Sequence, residues 1–527
     1  MAGIVKGETL IGKWTVPVQG TLRGLPPYAL PEDAVYDSLN VLVRAGAVEA
    51  RPGLTVVNPS TLGGRPIGAF ATTLLAQGAF QSDSFQNDAF QISGNTPTSA
   101  LIVVTPSKIW AYWSGVYHDI TDTTLTGTDS AFARMTSIQI SNTIYILISN
   151  GIDVPRVWDS VAPTVAQVSG TPPKWTDVTT ASDRIIGIIP PYTIQWGNSL
   201  DLTTWPALNF RTLSDTIDPV VAIRNLGSLG VAVYKTRSIW IGQPGGTTDA
   251  SYFSFVIRGF WDGPASPYAL IDADGAHYYM TDTGRIGYFD GTQQQWIADG
   301  VWPAVQAELD QPNAARIFGV FDPSNREINF YYPRVGDGGA CKGIVTLRLP
   351  RPAEAIPSPI AFRGLSSIAV SVGCDTRLDT RKALVLGDTT QIAYTVEGDN
   401  DAGTNFSGYF QPGFISAPAL DMHRLEGYEV FVERGQGYGQ LLTKIVSNNL
   451  LENPATNLSA PSEAVDLSLA PPTQQMGGDV TGKFLGLRFE FTTPIRLRWY
   501  AARLAARRIE PDQTSPFAQV RGLKVAA

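Results

Sequence analysis

Four short segments of this chain close in the same way. Ser107-Lys108-Ile109-Trp110, Arg156-Val157-Trp158, Arg237-Ser238-Ile239-Trp240 and Arg285-Ile286-Gly287-Tyr288 each set an aromatic at the end of a strand-like run, with a Gly- or Asp-rich turn soon after. The four aromatics lie 48, 82 and 48 residues apart. With one unmarked unit inside the long gap, the period is about 41–48 residues, in the range of β-propeller blades, ~40–50 residues each. A repeat of that length fixes architecture and leaves function open.

The rest of the chain agrees with short strands joined by tight turns. Charged residues make up 16 % of 527, well under the ordinary ~25 %. Gly (51) and Pro (37) together exceed their ordinary ~12 % share. Runs such as Leu101–Val104, Ile109–Tyr112, Thr143–Ile148, Arg184–Ile189, Gly230–Tyr234, Ser238–Ile241, Ala276–Met280, Ile286–Phe289, Glu327–Tyr332, Ala383–Leu386 and Gln391–Tyr394 are β-branched or aromatic and bounded by turn residues, the hairpin signal. Several are apolar on both faces, which requires cover on both sides. Blades supply that cover by packing on one another; a series of stacked sandwiches is the competing arrangement. One short helix is expected, Ala304–Leu309, stopped before Pro312. The fold class read here is all-β: a propeller core with an N-terminal arm and a C-terminal antiparallel, sandwich-like domain.

The boundaries follow from changes in pattern. Residues 1–65 read as an extended arm broken by Pro26-Pro27, Pro31 and Pro52-Gly53, with one hairpin over Ser38–Arg51. Residues 66–420 read as the propeller. Within it, residues 79–93 repeat a five-residue unit centred on Phe80, Phe85 and Phe90. That unit resembles the pentapeptide-repeat pattern, but three copies are less than a full coil, so a surface loop or strand-edge insertion over 78–93 is expected. Residues 421–527 carry longer strands with period-2 alternation, such as Gly427–Glu433 and Phe484–Phe491. The tail of that region is basic, and Arg496, Arg498, Arg503, Arg507 and Arg508 are the candidate subunit-contact cluster.

Chemistry is excluded more readily than found. A net charge of −8 disfavours whole-chain binding to nucleic-acid phosphates. His118, His277 and His423 have no His or Cys partner at ligand spacing, so no zinc motif is present, and His277, inside a strand, is expected in the core. Cys341 and Cys374 are too few for a disulfide framework and are expected to be reduced, packed thiols. Asp272-Ala273-Asp274-Gly275 opens like a calcium loop but has Thr283 where the bidentate Glu should stand, so a hairpin turn is expected. No phosphate loop or nucleophile elbow occurs, and no Ser-x-Asp-x-Gly-x-x-Trp box is intact, Thr281–Gly284 coming closest. No carboxylate pair is selected by spacing. No catalytic, metal or cofactor residue is assigned, and the chain is read as a non-enzyme without cofactor. No secretory signal and no apolar run of the ~20 residues a membrane helix needs is expected.

Several segments resemble one family. Residues 39–53, Leu-Asn-Val-Leu-Val-Arg-Ala-Gly-Ala-Val-Glu-Ala-Arg-Pro-Gly, are similar to the N-terminal signature of the tail nozzle proteins of short-tailed bacteriophages, also called tail tubular protein B or tail stabilisation proteins. Gln195–Trp205, Leu226–Trp240 and Leu485–Arg498 resemble further stretches of that family; the Phe-Gln repeat has no place in it. The resemblance implies a structural virion component of the phage tail, assembled in the host cytoplasm. It further implies a hexameric ring below portal and adaptor, contacts with tail fibre or spike proteins, and a channel through which DNA leaves without specific binding. An acidic wall suits such a conduit because it repels phosphates. The alternatives are a carbohydrate-binding, receptor-recognising propeller, with Trp113 or Trp261 stacking on sugars, and, further off, a propeller glycosidase.

Overall fold

The computed structural model describes residues 9–508 apart from 75–97, 351–358, 376–382, 417–422, 434–437, 449–462, 468–472, 477–479 and the single positions 114, 130, 131, 142 and 161. The chain divides into two compact units, one of residues 52–404 and one of residues 1–51 with 405–527.

Residues 52–404 form the propeller. Five four-stranded antiparallel sheets follow one another along the chain, each a simple meander. The first runs Gly68–Leu74, Thr98–Val104, Ile109–Trp113, Val116–Asp119. The inner strands of the next four are Arg134–Ile140, Val178–Ala181, Val220–Asn225 and Leu270–Ala273. The seven-stranded sheet that remains is two blades sharing one strand. Ile360–Asp375 pairs through residues 360–365 with Cys341–Arg348, and through residues 370–375 with Ala383–Gly387. Its first half is therefore the outer strand of blade 6, whose inner strand is Phe318–Asp322. Its second half is the inner strand of blade 7. Among the described residues the blades number seven, and the inner strands meet their neighbours around a ring, the fourth and fifth through the turn Pro267–Ala269.

The ring is closed by the two ends of the unit. The outer strand of blade 7 is Leu54–Asn58, from the beginning of the unit, paired antiparallel with Ala393–Val396 from its end.

The core lies between blades, as the two-faced apolar strands require. In Thr98–Val104, Ile102 and Val104 pack with Met135, Ile146, Ile148 and Trp158 of blade 2, while Leu101 and Val103 join Leu384, Val385 and Leu386 of blade 7. The same division recurs around the ring: Leu147 with Ile185, Ile186 with Val233, Tyr234 with Tyr279, and Tyr278 with Phe330.

The repeated aromatics have one structural address. Trp110, Trp158, Trp240 and Tyr288 all stand on the third strand of their blades, the first, second, fourth and fifth. The 82-residue gap contains blade 3, and its third strand, Thr193–Trp196, ends in Trp196. Trp196 pairs across to Ile186 as Trp240 does to Val233.

The described residues of 9–51 and 405–508 build a β-sandwich of two antiparallel sheets. One has the order 41–44, 47–50, 499–508, 423–432, 473–476, with Thr9–Thr15 also along 499–508. The other has the order 35–39, 407–412, 484–492, 440–448, 463–466. Phe410, Phe489 and Trp499 meet in its interior, with ring centroids 4.9–5.6 Å apart. The N-terminal segment is thus not a separate arm ending at 65. Trp14, Val41 and Val43 are buried, and strands from residues 9–50 complete both sheets. The division falls at 51/52 and 404/405 rather than at 65 and 420, because Leu54–Asn58 belongs to the propeller and Ser407–Pro412 to the sandwich.

The hairpin expected over Ser38–Arg51 is present, but Asn40, with φ 59°, breaks its first strand. Its amide donates to the Ser407 carbonyl at 2.7 Å, and Arg51 Nε donates to its side-chain oxygen at 2.9 Å. The expected helix is Trp302–Glu308. The Phe-Gln repeat lies outside the described residues. No helix among the described residues is long and apolar enough to cross a membrane.

Burial between blades sets the first prediction. Leu384 is fully buried in the cluster joining blades 6, 7 and 1, whereas Val56 on the closing strand is 40 % exposed. L384A should cost about 2–5 kcal/mol by cavity formation, and V56T should stay within about 0.5 kcal/mol of wild type. Urea denaturation followed by tryptophan fluorescence measures both; equal effects would contradict the inter-blade core.

Candidate functional site

All seven inner strands line a central cavity of about 510 Å³. Packing around a ring brings these strands within reach of one another, so groups distant in sequence converge here. The polar centre is Asp177, which immediately precedes the inner strand of blade 3 and is fully buried. Its Oδ1 accepts from the Val178 N–H at 2.9 Å and from Arg134 Nε at 3.0 Å. Its Oδ2 accepts from the Ile223 N–H at 2.8 Å and from Arg224 Nη1 at 2.9 Å. Arg134 starts the inner strand of blade 2, and Arg224 lies near the end of that of blade 4.

The arginines carry the network on. Arg224 Nη2 donates to the Pro267 carbonyl at 2.6 Å. The Arg134 guanidinium lies over the Tyr268 ring, 3.9 Å from its centroid. The Tyr268 hydroxyl donates to the Ala133 carbonyl at 2.7 Å and accepts the Ala69 N–H at 3.2 Å. One carboxylate and its partners therefore tie together blades 1 to 5. Burial, reinforced by the neighbouring Arg134, presses the Arg224 guanidinium down to about 10, so it stays charged at neutral pH. Burial raises the Tyr268 phenol, which therefore stays protonated.

Two carboxylates line the same cavity. Asp272 on blade 5 and Asp375 on blade 7 both line it and are exposed within it. Burial and the nearby Asp375 raise the Asp272 carboxyl above the usual carboxylate value. Arg224, also lining the cavity, is near enough to Asp272 to oppose that rise in part.

Beside it, His277 is fully buried between blades 4 and 5. Its Nε2 lies 3.1 Å from the Asn225 carbonyl, which can only accept, so Nε2 carries the proton and Nδ1 accepts from the Tyr234 hydroxyl at 2.8 Å. Burial pulls this imidazole down to about 4. Locked as one neutral tautomer, it is a packed core residue, as its place in a strand implies.

The basic cluster singled out in the sequence is dispersed. Arg498 is engaged within the sandwich, 3.3 Å from Glu49 and 3.1 Å from Glu433. Arg503 and Arg507 are exposed on the outer face of strand 499–508. Arg503 stands between Lys13 and Glu429, and Arg507 between Thr9 and Arg424. Arg496 is exposed before that strand. The backbone of Arg508 pairs with His423, and its side chain lies outside the described residues. The structure therefore aligns Arg503 and Arg507 on one face and does not bring Arg498 to it.

Other candidates are framework. Asp274 and Gly275 take φ of 56° and 77° in the two-residue turn between Ala273 and Ala276, the type I′ geometry of a hairpin. Trp113 stacks on His118 at 3.7 Å, and Trp261 packs against the cluster between blades 4 and 5. Both cysteines are buried, and burial raises the Cys341 thiol to about 12 and the Cys374 thiol further. No group of three or more metal-ligating side chains occurs among the described residues.

No family model matches the chain, and no curated protein matches it. Among solved structures, the WD40 β-propeller domain of Doa1 is similar at 9 % identity with a TM-score of 0.31, over 56 % of this chain and 88 % of that one. A likeness of that degree carries no argument, and the propeller assignment rests on the ring of seven blades itself.

Two predictions follow from the buried polar groups. D177N removes the charge that holds two buried guanidiniums and should cost about 3–5 kcal/mol. D274N, which removes the partly exposed pair between Asp274 and Arg326, should cost no more than about 1 kcal/mol; denaturation of both variants checks the contrast. His277 gives a pH dependence. Its folded value, about 4, lies below its unfolded value of 6.5, so only the unfolded state takes up a proton between them. Stability should fall as pH drops from about 6.5 to about 4, by about 3 kcal/mol in all, and flatten below. H277Q should remove that slope in a stability profile measured from pH 7 to pH 4.

Proposed function

We propose that this chain is a structural virion component, the tail nozzle of a short-tailed bacteriophage, assembling into a ring that forms part of the channel for DNA exit. The observation that carries the reading is the build of the chain: a propeller inserted into a sandwich made by both ends of the sequence, with the nozzle-like segments spread over both units. Residues 39–50 form the hairpin of the sandwich, Leu485–Arg498 includes most of its strand Phe484–Thr492, and Gln195–Trp205 and Leu226–Trp240 fall in blades 3 and 4. These segments are framework, the kind of position an assembly protein must keep to hold its shape.

Charge supports the same reading. The propeller unit holds 22 Lys and Arg against 31 Asp and Glu, a net −9, while the sandwich unit holds 17 against 16. An acidic surface lets duplex DNA slide past without ion pairs to break. The near-neutral sandwich, with Lys13, Arg503 and Arg507 on one face beside Glu429, suits contact with a neighbouring subunit or fibre through complementary charges. Identical chains joined by heterologous contacts close into a ring when the rotation between them closes.

Mass photometry of the purified protein, alone and mixed with portal and adaptor proteins, tests the proposal. A ring of about six 56.8-kDa chains is expected, visible as an annulus by negative staining. A chain that stays monomeric with portal and adaptor present would overturn it.

A further inference from the structure

The polar network around Asp177 leaves one of its two guanidiniums open to the central cavity. Arg224 spends both terminal nitrogens inside the network, Nη1 on Asp177 and the Ile223 carbonyl, Nη2 on the Pro267 carbonyl. Arg134 is engaged through Nε alone. Its two terminal nitrogens have no hydrogen-bond partner among the described residues and are not sealed from solvent, yet the side chain lines the cavity and is only 12 % exposed. The guanidinium is held in place by the Asp177 carboxylate and by the Tyr268 ring. A planar cation fixed through Nε, with its terminal fork open, receives a carboxylate through two parallel N–H bonds. The local charges leave room for that anion, since the single carboxylate of Asp177 serves two guanidiniums.

The rest of the lining favours hydroxyl groups. Thr72, Ser137 and Thr179, from blades 1, 2 and 3, line the cavity, and their hydroxyls make no hydrogen bond among the described residues and are not sealed from solvent. Asp272 lines it from blade 5, likewise without a hydrogen bond or ion pair among the described residues. A hydroxyl both donates and accepts, so a ligand O–H suits any of these four groups wherever it meets the wall. The Asp272 and Asp375 carboxylates also limit the charge a ligand can bring. A dianion is repelled, whereas a hydroxyl donates to a carboxylate. A volume of about 510 Å³ is in the range of small-molecule sites, ~300–1,000 Å³.

We infer that the central cavity is a binding site for a small monoanionic hydroxycarboxylate, whose carboxylate docks on the terminal nitrogens of Arg134 and whose hydroxyls exchange hydrogen bonds with Thr72, Ser137, Thr179 and Asp272. A neutral polyol leaves the Arg134 fork unpaired. A plain alkanoate takes the three hydroxyls and the Asp272 carboxyl out of water and gives them no partner, which is costly for each polar group. A hydroxycarboxylate meets both requirements. This site lies wholly within the propeller unit and stands or falls separately from the assembly role.

Isothermal titration of the full chain with lactate, glycerate and gluconate tests the inference, with propionate and hexanoate as deoxygenated controls and glycerol and sorbitol as uncharged ones. At least one hydroxycarboxylate should bind roughly tenfold or more tightly than its deoxygenated and its uncharged control. R134K keeps a cation against Asp177 but loses the fork, and should weaken that ligand by roughly ten- to a hundredfold. The triple variant T72V/S137A/T179V should bring it within about threefold of its deoxygenated control, because the Arg134 fork remains and the hydroxyl partners are gone. The triple variant keeps the test decisive if R134K fails to fold. No binding of any hydroxycarboxylate, equal binding of the acids and their controls, a folded R134K protein with unchanged affinity, or a folded triple variant with unchanged preference would overturn the inference.

Discussion

Closure of the ring is the constraint on which the rest of this structure depends. No blade buries both of its faces alone, so each blade needs two neighbours, and a linear stack would leave two apolar faces open. The chain avoids this by lending Leu54–Asn58 from the start of the propeller unit to the last blade, beside Ala393–Val396. The approach is close. Gly53 donates its N–H to the Gly398 carbonyl at 2.8 Å, and a Cβ at Gly53 would lie 1.9 Å from the Asn400 carbonyl oxygen. Because the strand comes from one end of the unit and its partner from the other, the first and last blades cannot separate without losing a sheet edge.

The central site is a consequence of that closure. Ring packing turns seven inner strands toward a common axis and forces charges from different blades into one cavity. Asp177 resolves the crowding of Arg134 and Arg224 by accepting five hydrogen bonds, two from backbone and three from guanidinium, Arg224 Nη1 reaching both carboxylate oxygens. A buried ion network gains little over apolar packing in free energy, while its disruption is costly, which suits a role in fixing the register between blades. The same network engages Arg134 through Nε alone and leaves its terminal nitrogens without a hydrogen-bond partner among the described residues.

Much of the propeller was legible in the sequence because its signals are local. Hairpins such as Ala276–Met280 with Ile286–Phe289 are bounded by turn residues that announce themselves, and the third-strand aromatics recur at blade spacing. Trp196 carries no such mark, since Thr-Ile-Gln precedes it in place of the basic or Ser-led lead of the other four. Blade number was hidden by Ile360–Asp375, which passes from one blade to the next with no turn between. The Asp177 network was illegible, since its members are separated by 43 and 47 residues and meet only when the ring forms. The pairing of Thr9–Thr15 with Trp499–Arg508 was equally out of reach, for no local pattern links two ends of a chain.

Closure of the ring requires residues 54–58 to be the outer strand of the last blade. Native-state hydrogen exchange tests it most directly. Amides of Leu54–Asn58 and Ala393–Val396 that pair across the closing ladder should be protected together, opening in the same cooperative step as the inner strands of blades 1 and 7. Exchange of 54–58 at the rate of an unstructured segment, with 393–396 still protected as an ordinary sheet edge, would contradict the closed ring.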